Sequence, residues 1–279
     1  MKFSRLDKTI LITGCSSGIG EYCAFELQKM GYQVFATARK IEDVEKLSKR
    51  GLQAYQLDLA DSESIKSAVA QVLDQTGGQL YALFNNGAYG QPGAVEDLSR
   101  EVLREQFETN LFGTHELTQL IMPVMRKQGE GRIIQNSSVL GFVALKFRGA
   151  YNASKFALEG LSDTMRLELQ GSNIHVVLIE PGPVTSLFRK NAALKFMQHI
   201  DRENSHFSTE YQAMVDRLQK EGPAVPFTLP PDAVMKKVAL ALEKKIPNPR
   251  YYVTFPTYLF GYLKRILSSH GLDKILNRV

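Results

Sequence analysis

Cysteine is scarce in this chain of 279 residues. Its two copies, Cys15 and Cys23, lie in the first loop and helix without a CxxC or a metal-like cluster. That excludes a disulfide framework and points to a reducing, cytoplasmic setting. The five histidines are scattered, none in an HExxH-type spacing, so no metal site is expected and His115 reads as a helix-surface residue. No apolar run reaches the roughly 18 residues of a spanning helix. The opening MKFSRLDKTILITG reaches its glycine loop too early to hold a signal-peptide core. Repeats and low-complexity tracts are absent as well. The net charge of +5 gathers at the end of the chain, where Arg250, Lys264, Arg265, Lys274 and Arg278 face one acid, Asp273. The body is close to neutral, without the basic stripe interleaved with aromatics that nucleic acid requires.

What is present is alternation. Short runs rich in Val, Ile and Leu at residues 8–13, 33–38, 53–57, 80–85, 131–137 and 174–180 are separated by helical stretches. Strands of this kind suit a parallel sheet covered on both faces, so the fold class is α/β, a doubly wound Rossmann-type sheet in a single domain over 1–279. Residues 100–127 and 150–170 read as long helices, the first broken or ended near Pro123. From 183 to 231 no strand is expected, and the proline-rich ending marks a substrate-binding lid. A helix over 232–245, a last strand near 251–255 and an amphipathic helix over 257–279 complete the chain.

The segment TGCSSGIG follows a strand and opens a helix. Gly14, Gly18 and Gly20 let the backbone approach a pyrophosphate, with Ser16, Ser17 and Ile19 completing a loop whose N–H groups and helix dipole receive it. Where an acid after the second strand would bond ribose hydroxyls, the chain has Arg39 and Lys40, which pair with a 2′-phosphate. NADP(H) is therefore expected over NAD(H), unless the two cations are merely solvated. Asp58, followed by Leu59, either accepts from the adenine amino group or serves as a turn residue. Tyr151 and Lys155 share a helix face, where an ammonium lowers a phenol from its usual ~10 toward the range of an acid/base. Such a spacing is near chance level alone. Ser138, after the fifth strand, offers a hydroxyl to a substrate oxygen.

In this order the motifs resemble the short-chain dehydrogenase/reductase family over roughly Lys8 to Ser186, specifically as a set, and in flavour the retinol and hydroxysteroid dehydrogenase branch and its bacterial relatives. The resemblance implies catalytic Ser138, Tyr151 and Lys155, with Asn110 fixing a relay water. It assigns Asn85, Asn86 and Gly87 to the cofactor, and also Pro181, Gly182, Val184 and Ser186, with Thr185 nearby. The usual NNAG stands here as NNGA, with Ala88 where glycine would give backbone freedom. Ser17 replaces a residue that is sometimes basic in NADP enzymes, which leaves cofactor choice to Arg39. The expected reaction is hydride transfer between nicotinamide and an apolar carbonyl or alcohol, an aldehyde, retinoid or hydroxysteroid, in the direction of reduction. A catalytically idle NADPH-sensing regulator and a sugar-nucleotide epimerase are the alternatives. The apolar lid residues Leu187, Phe188, Leu194, Phe196, Met197, Phe207, Tyr211 and Met214 either line the substrate or pack on their own sheet. The family also implies a homo-oligomer. The C-terminal helix is expected to pack on the body, with an anionic membrane surface or a subunit interface as the other readings.

Overall fold

The computed structural model describes residues 8–220, 222–223 and 225–278. Residues 1–7, the first half of the segment read against a signal peptide, lie outside it, as do Glu221, Ala224 and the terminal Val279. Seven strands form one sheet: β1 (Thr9–Ile12), β2 (Gln33–Ala38), β3 (Gln53–Gln56), β4 (Ala82–Asn85), β5 (Gly131–Asn136), β6 (Ile174–Glu180) and β7 (Arg250–Tyr252). Their order is β3-β2-β1-β4-β5-β6-β7, and every pairing is parallel. Helices α1 (Gly18–Lys29), α2 (Ile41–Lys49) and α3 (Ser62–Gln75) follow the first three strands. Beyond β4 come α4 (Arg100–Phe107), α5 (Gly113–Gln128) and α6 (Gly149–Glu168).

Side chains alternate across the sheet. Ile10 and Ile12 enter a core with α1 and a later helix, α9 (Asp232–Glu243), while Leu11 enters the core beneath α3 and α5. Both faces are thus dry, which is why the strands read as continuous apolar runs.

Two expectations are revised, and a third stands, since no strand lies among the described residues from 183 to 231. Pro123 does not end its helix: it lies on the exposed side of α5, where water can meet the carbonyl it frees. The break comes earlier, as a π turn over Glu108–Phe112. The segment read as a lid contains, among its described residues, two helices, α7 (Phe188–His199) and α8 (Ser208–Gln219), and a bridge between Val184 and Leu229. Last, the C-terminal helix is two, α10 (Phe255–Ile266) and α11 (Ser269–Leu276), because Ser268 caps the second by accepting from the Gly271 N–H.

Candidate active site

Because the strands are parallel, the loops after β1, β4, β5 and β6 open on one rim, at the switch in strand order between β1 and β4. The first loop turns through Gly14 and Gly18, at φ of 71° and 62°. Gly20 is required for closeness instead, since a Cβ there would stand 2.3 Å from the Gly14 carbonyl oxygen. Ser17 stands at the N-cap of α1 without a side-chain cap bond, so no capping side chain claims the first-turn N–H groups. Ser16 is exposed at the tip and Ile19 packs on the core. An uncapped helix start behind left-handed glycines fits a dinucleotide phosphate.

Arg39 and Lys40 are exposed just past β2. The Arg39 carbonyl accepts from Gln56 Nε2 at 3.0 Å, and its guanidinium has no carboxylate partner among the described residues. Asp58 behaves as a turn residue, accepting from the Ala60 N–H at 3.0 Å. Leu59 is buried, its Cδ1 only 2.9 Å from where a side chain on Gly87 would begin.

The two asparagines after β4 turn inward. Asn85 donates to Thr118 Oγ1 at 2.9 Å, and its own Oδ1 has no partner. Asn86 donates to the Thr13 and Gly14 carbonyls and accepts from Asn136 Nδ2, knitting three strand ends together. The swapped pair is explained here. Gly87 takes the close approach, 2.7 Å from a would-be Gly14 Cβ, and Ala88 is not among the residues with positive φ, so its methyl group meets no backbone penalty.

Ser138 follows β5 and accepts from the Leu140 N–H at 3.1 Å, while the Val139 N–H donates to the Pro181 carbonyl and ties this loop to β6. Gly182 is packed so closely that a Cβ would meet Thr254 Oγ1 at 2.2 Å. Beyond it, Val184 and Thr185 pair with Leu229, and Ser186 lies over the glycine loop, its Cβ 2.9 Å from a would-be Gly18 Cβ. The two predicted halves of the site therefore meet.

Tyr151 and Lys155 project from α6, both buried. Lys155 Nζ donates to the Asn136 carbonyl at 2.7 Å and lies 5.7 Å from the centre of the Tyr151 ring. Burial pushes the Tyr151 hydroxyl up to about 12, against the pull of a bond with Ser138. The lysine does not draw it down in this arrangement, because desolvation dominates. Burial instead lowers Lys155 to about 8, with Glu159 opposing. Asn110, in the π turn, spends its side chain on Tyr89 and Ser154: its amide donates to Tyr89 O and Ser154 Oγ, and its oxygen accepts from Tyr89 N–H. A π turn at such a place is a recurrent mark of function.

Gly90 escaped the sequence reading, and Phe188 was read there only as one of several apolar lid residues. Phe188 lies edge-on to Tyr151 at 5.2 Å between ring centres and packs on Gly90, where a Cβ would come within 2.7 Å of the Phe188 ring and push it aside. The other lid apolars divide. Phe196, Tyr211 and Met214 are buried in the lid's own core with Phe207 packed against it, while Leu187, Leu194 and Met197 are exposed.

Behind Lys155, Arg250 binds Glu159 at 2.9 Å, Asp163 at 2.7 Å and Glu180 at 3.0 Å. Burial, reinforced by the charge of Glu159, holds Glu180 well above the usual carboxylate range. A proton held more tightly in the folded chain means that this group's stabilisation is complete below about pH 4 and declines as pH rises above it. Glu180→Gln should therefore remove a loss of unfolding free energy of up to about 1.4 kcal/mol per pH unit. Denaturant melts from pH 5 to 6.5, a window in which Lys155 stays charged, would check this; equal slopes for the two proteins would refute it.

Residues 8–195 match the family model described as short chain dehydrogenase. The chain belongs to that family of oxidoreductases. It is 41% identical over 272 residues to an uncharacterized oxidoreductase, YbbO, of Escherichia coli, covering 97% of this chain and 94% of the relative. Human 17-beta-hydroxysteroid dehydrogenase type 1 is 32% identical over 258 residues, 88% of this chain and 77% of its own. A solved short-chain dehydrogenase from Streptomyces avermitilis superposes with a TM-score of 0.77 at 26% identity, covering 100% of this chain and 99% of that one.

Proposed function

We propose that this dehydrogenase is an NADPH-dependent reductase of apolar carbonyl compounds, with Ser138, Tyr151, Lys155 and Asn110 managing the proton. The observation that carries the reading is geometric: Tyr151 is buried beside Ser138, with the Phe188 ring covering it edge-on. A protonated phenol is the form that donates when a carbonyl becomes an alkoxide. Nicotinamide, when bound, supplies the hydride. Ser138 Oγ and the Tyr151 hydroxyl donate hydrogen bonds to the carbonyl oxygen, and Tyr151 then passes its proton to that oxygen. Lys155 refills the phenol and holds the ribose hydroxyls. The π turn at Asn110 supports a water that links Lys155 to solvent.

Arg39, unpaired with any described carboxylate, favours NADP(H) over NAD(H) by its fit to a 2′-phosphate. The Phe188 ring, packed on Gly90 and Tyr151, gives the site an apolar wall, which favours aldehydes, retinoids or hydroxysteroids. The idle-regulator alternative finds no support in the relatives. Exposed Phe112, Phe156 and Leu161 around α5 and α6 support a homo-oligomer, and two buried thiols held in their neutral form suit a cytoplasmic protein.

The test is loss of dihydronicotinamide absorbance with NADPH or NADH against aldehydes, ketosteroids and retinal. Turnover of at least one apolar class, faster with NADPH, is expected. Tight NADPH binding with no turnover across the three classes would sink the reading.

A further inference from the structure

The covered face of α10 consists of Thr257, Phe260 and Gly261, and Lys264 on the same side donates to the Phe142 carbonyl. The opposite face carries Phe255, Tyr258, Leu259, Tyr262 and Ile266. At 100° per residue these five fall within a stripe about 100° wide. Its centre is open, with Phe255 55%, Tyr262 62% and Ile266 77% exposed, while Tyr258 and Leu259 at its edges are 40% and 39% exposed and the Tyr258 ring packs edge-on against Tyr252. Phe227 of the lid extends the patch, with its ring 4.8 Å from that of Phe255. The neighbouring α11 buries none of its residues. The expectation that the C-terminal helix packs its apolar face on the body thus holds for only one of two apolar faces.

Charge decides what fits this surface. No Asp or Glu occurs from Lys244 to Leu272. Cations rim the stripe instead, Lys237 reaching the Tyr258 hydroxyl at 3.5 Å and Arg265 the Tyr252 hydroxyl at 3.2 Å. Packing against a second copy would set this rim against its own like charges, with no acid in the segment to receive them. An anionic bilayer answers both features, since apolar side chains enter the acyl boundary while tyrosines and cations stay at headgroup level.

We infer that the outward stripe of α10, with Phe227, docks the protein on an anionic phospholipid surface. Because β7 is parallel to the other strands, α10 starts on the same rim as Tyr151 and the glycine loop. Docking therefore places the lid edge against the bilayer, where an apolar substrate is concentrated. The contact does not depend on the reaction proposed above, and vesicle binding is read without turnover.

Co-sedimentation of the full chain with phosphatidylcholine vesicles, with and without phosphatidylglycerol, tests the inference. Binding is expected on the anionic vesicles and is weakened by salt. The double variant Tyr262→Ser, Ile266→Ser should bind about tenfold or more weakly. Both positions are exposed, so an unchanged thermal melt certifies the fold. Absence of wild-type binding, equal binding to neutral vesicles, or unchanged binding by the double variant would overturn the inference. So would light scattering that showed a wild-type dimer dissolved by the variant without any vesicle binding, which would make the stripe an interface between copies.

Discussion

Replacing Tyr151 by Phe is expected to lower kcat for carbonyl reduction by about a thousandfold, within the span usual for a positioned general acid. The substitution removes one oxygen from a ring that otherwise keeps its packing against Phe188, and it leaves Ser138 still accepting from the Leu140 N–H. Fold and NADPH affinity should persist, which separates a chemical loss from a structural one. Ser138→Ala removes one of two donors to the substrate oxygen and should cost less, about tenfold to a hundredfold, a typical oxyanion-donor effect at its lower end. The pH profile adds a sign. Lys155, lowered to about 8, is protonated below that value and can refill the phenol, so reduction should be flat through neutrality and decline above about 8. Stopped-flow turnover with several apolar carbonyls, with cofactor binding measured separately, decides the matter. Activity of Tyr151→Phe within tenfold of wild type on all of them would remove the tyrosine from the mechanism.

The fold was legible because its signals are local. β2 and β6 follow from β-branched runs bounded by polar turns, and their observed limits are those expected. The glycine loop was legible too, since a strand, Gly14, Gly18 and a helix start occupy ten consecutive positions or fewer. What escaped depends on residues far apart in the chain. Phe188, from the segment after β6, meets Gly90, from the loop after β4, and Arg250 gathers Glu159, Asp163 and Glu180 from two other elements. No periodicity encodes such meetings. The π turn was missed for a different reason: Asn110 sits in an unbroken helical pattern, and only its bonds to Tyr89 and Ser154 reveal why the turn widens there. The NNGA swap was legible as a departure, but its consequence was not, because only the approach of Gly14 to Gly87 tells which of the two positions needs glycine.

Arg39→Asp is expected to lower kcat/KM with NADPH by about a hundredfold or more, while NADH is spared or improved. The wild-type guanidinium is exposed at the end of β2 and has no described carboxylate to satisfy, so its charge is free for a phosphate. A charge-assisted bond to the phosphate is lost in the variant, and a like-charge repulsion replaces it; each is worth about tenfold or more. NADH has ribose hydroxyls at that place, and a carboxylate accepts from them. Folding should be unaffected, because the bond that residue 39 gives the fold among the described residues uses its backbone carbonyl, which accepts from Gln56. Lys40→Ala serves as the neighbouring control and should shift the ratio much less, since a point charge on a flexible stem lacks the bidentate fork. The readout is the ratio of the two kcat/KM values with one carbonyl substrate. An unchanged ratio would withdraw the NADP assignment and leave the Tyr151 chemistry standing, because the proposed cofactor choice rests on Arg39 at β2 whereas the proposed proton transfer rests on α6.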